Sequence, residues 1–186
     1  MSLFQNFEHE FGGATDCRPL SAAEIAALAP RLPAPLVARW RDVGLCAHGG
    51  GLLRFVHPDG FTDVLQEWLE PTPQAAATFL RTAFGDLYFW AEGSIQALDV
   101  HYGRVSQITD DLDLFFDDVL CDQRVQTRSL RRPLFDQVVN RLGPPADDEC
   151  YAFVPALALG GSEDAASLQR VKLREHLDIL RQVVTG

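Results

Sequence analysis

The apolar positions change period several times along the chain, and each change marks an element. Near the N-terminus Ser21-Ala-Ala-Glu24 has capping-box spacing, with a hydroxyl for the first free backbone N–H and a carboxylate three residues on. A short helix should follow and stop near Pro30. PAPLVARWRDVG places Leu36, Val37, Trp40 and Val43 on one helical stripe, closed by Gly44 as a C-cap. CAHGGG cannot hold regular structure cheaply, because three glycines lose much backbone entropy on ordering. GLLRFVHP then reads as a strand. DGFTDVLQEWLE reads as an amphipathic helix with Phe61, Val64, Leu65 and Trp68 inward, ended by Pro71 and Pro73.

QAAATFLRTAFG is rich in alanine, and its composition predicts a helix. DLYFWAEG is dense in aromatic residues, as buried strands are. SIQALDVHYGRVSQIT predicts two strands joined by a tight turn near Tyr102-Gly103. In DDLDLFFDDVLCD the apolar residues fall at 112, 115, 116, 119 and 120, a helical stripe with Asp110 or Asp111 as N-cap. RRPLFDQVVNRLG repeats that spacing, with Pro133 in the first turn. DDECYAFVPALALGG predicts a strand, a proline-bounded bend and a glycine turn. VKLREHLDILRQVV predicts a closing helix with Leu173, Leu177, Leu180 and Val184 inward. The fold class is therefore α+β: a small central antiparallel sheet flanked by helices, with a helix-rich C-terminal half. The best boundary lies at Thr109, giving segments 1–108 and 109–186. No Pro/Gly/Ser linker marks it, so the two segments are expected to share one packed body.

Composition narrows the class without naming a function. A chain of 186 residues with nearly half apolar side chains can bury roughly 70% of its unfolded surface. The formal charge of -10 disfavours nucleic acid and anionic membranes, and favours basic partners. MSLFQNFEHEFGG lacks the basic and apolar regions of a secretory signal, and no window has ~20 apolar residues. These features predict a cytoplasmic protein, in which Cys17, Cys46, Cys121 and Cys150 stay reduced. Lys172 is the only lysine, and the arginine bias with many alanines suits a GC-rich bacterial coding sequence.

Candidate chemistry is sparse. Cys46, His48 and His57 could be imagined as metal ligands, but the spacing is loose and a fourth ligand is missing. His9, His101 and His176 are scattered. No metal and no cofactor are expected. The G-x-S-x-G elbow of hydrolases is absent. Carboxylates around Cys150 would raise its pKa, against a nucleophilic role. AHGGGLL lacks the G-K-[ST] and the following helix of a phosphate loop. No catalytic residue is therefore assigned. What stands out is acid density. Asp110, Asp111, Asp113, Asp117, Asp118 and Asp122 lie within thirteen residues without a cation. Asp147, Asp148 and Glu149 form a second cluster. Such runs suit a solvated face or a docking surface for a basic protein, and Arg124, Arg128, Arg131 and Arg132 are at hand to pair with the first run.

Several segments resemble known families. WRDVG, GGGLLRFVHP and VLQEWL resemble the GAD-like domain, and TAFGDLYFW resembles the block that follows in the same proteins. DECYAFVPALALGG followed by LQRVKLREHLDIL is similar to the C-terminal domain of bacterial type VI secretion immunity proteins. The TAFGDLYFW block also resembles the wider SMI1/KNR4-like immunity superfamily. The resemblance implies an immunity protein and not an enzyme. It would bind a cognate toxin encoded nearby, often a DNase with a basic nuclease domain, and block it sterically and electrostatically. It transfers no contact residues. The toxin-binding candidates are therefore the acidic runs: Asp110, Asp111, Asp113, Asp117 and Asp118, then Asp147, Asp148 and Glu149. The alternatives are a cytosolic regulatory or scaffold module of the superfamily, or a small enzyme. Against a pyridoxal enzyme, Lys172 sits at the edge of the last helix.

Overall fold

A computed structural model describes residues 4–185. Seven antiparallel strands form one sheet in chain order: β1 (Thr15–Arg18), β2 (Leu45–His48), β3 (Leu53–Phe55), β4 (Ala77–Thr82), β5 (Leu87–Ala91), β6 (Ser94–Asp99) and β7 (Arg104–Thr109). Helix α1 (Gln5–Phe11) precedes β1, α2 (Ala22–Leu28) and α3 (Ala34–Val43) lie between β1 and β2, and α4 (Thr62–Trp68) lies between β3 and β4. After β7 come a π-helical turn at Leu114–Val119, then α5 (Gln123–Arg128), α6 (Arg132–Leu142), a two-stranded ribbon of β8 (Glu149–Phe153) and β9 (Leu168–Lys172), and α7 (Leu173–Thr185). The class is α+β, as the periodicity predicts, with a larger sheet than expected.

Two apolar layers sandwich the sheet. One joins Trp40 of α3, Phe55, Phe79, Phe116, Phe135 and Tyr151, among others. The other joins Val64 and Leu65 of α4, Phe89 and Leu98 of the sheet, and Leu173, Leu177 and Leu180 of α7. The central strand β4 is buried at all six positions. A strand therefore stands where the composition of QAAATFLRTAFG predicts a helix. A strand covered on both faces shows no alternation, so QAAATFLRTAFG carries no period-2 signal. Five further elements, α1, β1, β2, α5 and β9, have no counterpart among the elements expected from the sequence. β2 occupies the LCAH just before the glycines and is buried throughout.

Other expectations hold locally. Ser21 and Glu24 form the capping box in full. Leu36, Val37 and Trp40 are buried, although Val43 at the end of the stripe is 40% exposed. Asp111 accepts from the Leu114 amide at 3.1 Å, so it does cap the helix that starts there. That helix widens at once, with Leu120 N–H bonding to the Phe115 carbonyl five residues back. The wide turn lets consecutive rings enter the core in different directions. Phe115 lies 5.9 Å from Phe79 and 5.2 Å from Tyr88, while Phe116 lies 4.3 Å from Phe4.

The expectation of four reduced thiols fails at one pair. Cys17 and Cys46 form a disulfide between the edge strand β1 and its neighbour β2. Their separation of 29 residues hid a neighbour relation that only strand pairing creates. Cys121 and Cys150 are free. Among the described residues no helix is long and apolar enough to cross a membrane.

Candidate functional site

The first acidic run sits at the junction of β7 and the π-helical turn. Asp110, Asp111, Asp113 and Asp118 are exposed. Asp110, Asp111 and Asp113 edge a shallow pocket with Pro33, Pro35 and Trp90. Asp117 differs from its neighbours: its carboxylate accepts from the Phe7 amide at 3.0 Å and its carbonyl from Asn6 at 3.2 Å, which ties α1 down. Among the described residues, Asp110, Asp111, Asp113 and Asp118 take part in no ion pair. The following arginines do not neutralise the run. Arg131 pairs with Asp86 and Glu163, and Arg132 with Glu10.

The second run is held by cations. Asp148 meets Lys172 at 2.6 Å, and that hydrogen bond lowers its pKa. Glu149 lies 3.4 Å from Arg170 and accepts from the Ala146 amide. Asp147 is 3.8 Å from Arg54, which also meets Asp16 at 2.7 Å. Beneath this loop the buried Arg81 donates to the carbonyls of Ala146 and Asp147 at 3.0 and 2.9 Å. Burial brings its pKa down to about 10. The loop also needs Gly51, at φ 101°, where an added Cβ would lie 3.3 Å from Pro144. The AHGGG segment therefore serves close backbone approach. Cys46 is in the disulfide and His57 caps a turn by accepting from the Asp59 amide, so the imagined metal triad does not converge.

A third feature went unread in the sequence. A cleft of about 430 Å³ opens between β5–β7 and α5–α6. Asp86, from the turn before β5, accepts from Arg131 at 3.0 Å, from the Val100 amide at 3.2 Å and from Thr82 at 3.3 Å. Arg131 also donates to Glu163 at 2.9 Å. It occupies a left-handed conformation, φ 52°, at the start of α6, which aims a long side chain inward. Burial raises the Asp86 carboxyl above the usual range against the pull of Arg131. Burial and the neighbouring Asp86 raise Asp99, which also lines the cleft. Burial likewise raises the Tyr88 phenol. The only signals in the sequence were the polar turn FGD and an arginine placed before a helix-starting Arg-Pro.

Residues 2–103 match the family model of the GAD-like domain, over more than half of the chain. The chain belongs to the GAD-like domain family. Beyond the GAD-like part, residues 109–184 match the model described as T6SS immunity protein Tdi1, C-terminal. That match supports an immunity function, with a cognate toxin as partner. The crystal structure of Atu4351 from Agrobacterium tumefaciens is similar, with TM-score 0.75 and 17% identity, covering 97% of this chain and 89% of that one. At that identity the likeness is one of fold. No curated protein matches the chain.

Proposed function

We propose that this GAD-like protein is the cytoplasmic immunity partner of a type VI secretion toxin that cleaves DNA. It neutralises the toxin by binding and does no chemistry of its own. The observation that carries the reading is the unpaired acidic face at Asp110, Asp111, Asp113 and Asp118. A DNA-cleaving domain needs a basic, phosphate-binding surface. An acidic face on a chain of charge -10 is steered to such a surface and covers it. Asp117 contributes less, because it holds α1, and Asp147, Asp148 and Glu149 come second, because cations already meet them. The segments 1–108 and 109–186 are proposed as its two functional units.

The test is co-purification with the product of the adjacent gene, followed by DNA cleavage with and without this protein. A complex that silences cleavage supports the reading, whereas no complex and no protection refute it. Charge reversal at Asp110, Asp113 and Asp118, whose side chains make no hydrogen bond among the described residues, should slow association at least about tenfold at low salt. An unchanged rate and affinity would remove this face from the interface.

A further inference from the structure

The cleft beside β7 is concave because its floor is made of small side chains. Tyr88, Ala97 and Ser106 lie in register across three strands. One ring is thus followed by a methyl group and a hydroxymethyl group. Along β7 the residues facing the cleft change in character, from Arg104 through Ser106 to Ile108. Val119 and Val125 extend the apolar end, and Asp99 stands at the charged end.

The charges at that end are incompletely matched. Arg131 is already engaged by Asp86 and Glu163. Asp99 accepts from the His101 amide at 3.0 Å but has no cation within ion-pair distance among the described residues. Its cross-strand partner Arg104 instead lies over the Tyr102 ring, 5.4 Å from the centroid. At the mouth Arg128 is exposed, and it too is in no ion pair among the described residues. A carboxylate on the floor, guanidinium groups at the mouth and an apolar wall together define a bipolar guest. The volume falls within the roughly 300–1,000 Å³ usual for small-molecule sites.

We propose that this cleft binds a small zwitterion, an α-amino acid with an apolar side chain. Its ammonium group meets Asp99, its carboxylate meets Arg128 and Arg104, and its side chain lies against Ile108, Val119 and Val125. This site is separate from the toxin-binding face and stands independently of the immunity reading.

The test is calorimetric titration of the full chain with L-leucine and L-phenylalanine, and with two probes that each lack one charge, L-leucinamide and 4-methylpentanoate. The amino acids should bind saturably, and each single-charge probe about tenfold more weakly or worse. Ser106→Trp adds a ring at an exposed position on β7 and should abolish binding, with an unchanged circular dichroism spectrum. Asp99→Asn should weaken L-leucine about tenfold. The proposal is overturned if neither amino acid binds at ~10 mM. It is equally overturned if the single-charge probes bind as well as leucine, or if binding survives Ser106→Trp.

Discussion

Acidification from pH 7 to pH 5 should destabilise the protein through two buried histidines. His101 follows β6 and His176 lies on α7, with ring centroids 6.5 Å apart across the seam between the sheet and that helix. Both are buried, and both Nε2 atoms lack a hydrogen-bond partner among the described residues. Burial brings each pKa down to about 4, with Arg131 adding to the effect at His101 and His101 adding to it at His176. Asp99 and Glu163 pull His101 the other way without prevailing. A histidine held neutral in the fold binds fewer protons than its unfolded counterpart near 6.5. Stability is therefore full above that value and falls as the pH drops from 6.5 towards 4. Between pH 7 and pH 5 the loss is about 2 kcal/mol for each ring. Asp86 and Asp99, whose carboxyls are raised, act in the opposite sense on acidification. A difference measurement removes that background. Urea unfolding of wild type and His176→Leu, followed by tryptophan fluorescence at both pH values, isolates the ring. The variant should match or exceed wild type at pH 7, because a buried unsatisfied nitrogen is gone. It should then lose about 2 kcal/mol less on going to pH 5. A variant that loses as much as wild type would refute the reasoning.

Three further outcomes test other parts of the fold. Arg131→Met leaves Asp86 buried without its cation and should cost about 3–5 kcal/mol in urea unfolding at pH 7, against less than 1 kcal/mol for Arg124→Met on the exposed side of α5. Phe116→Ala opens a cavity where Phe4, Phe7 and Phe55 meet, and should cost about 3–5 kcal/mol by the same assay. Reducing the Cys17–Cys46 bond, which closes a loop of 29 residues, should lower stability by about 3 kcal/mol, and Cys17→Ser should make the protein insensitive to the reductant.

Much of this architecture was legible because its signals are local. The capping box at Ser21 and Glu24, the stripe ending at Trp40 and the hairpin around Gly103 each need only a few neighbouring residues. β4 was not legible, because a strand buried on both faces looks like any apolar run. The pairing of Cys17 with Cys46 depends on strand order, and the cleft depends on Asp86, Asp99 and Arg131 meeting from three distant points. The acidic run at Asp110–Asp118 was visible as charge density. That Asp117 serves α1 while its neighbours stay free was not, since the contact spans 110 residues.

The aromatic cluster around Phe4 and Phe116 joins two stretches of chain that match different families. A recombination event that replaced the part after Thr109 with a distant counterpart would import a mismatched ring into a close-packed interior. Such chimeras would lose stability before they could gain a new specificity. Diversification by exchange of whole segments is thereby restrained, whereas gradual change at outward positions such as Asp110, Asp113 and Asp118 leaves the interior packing untouched.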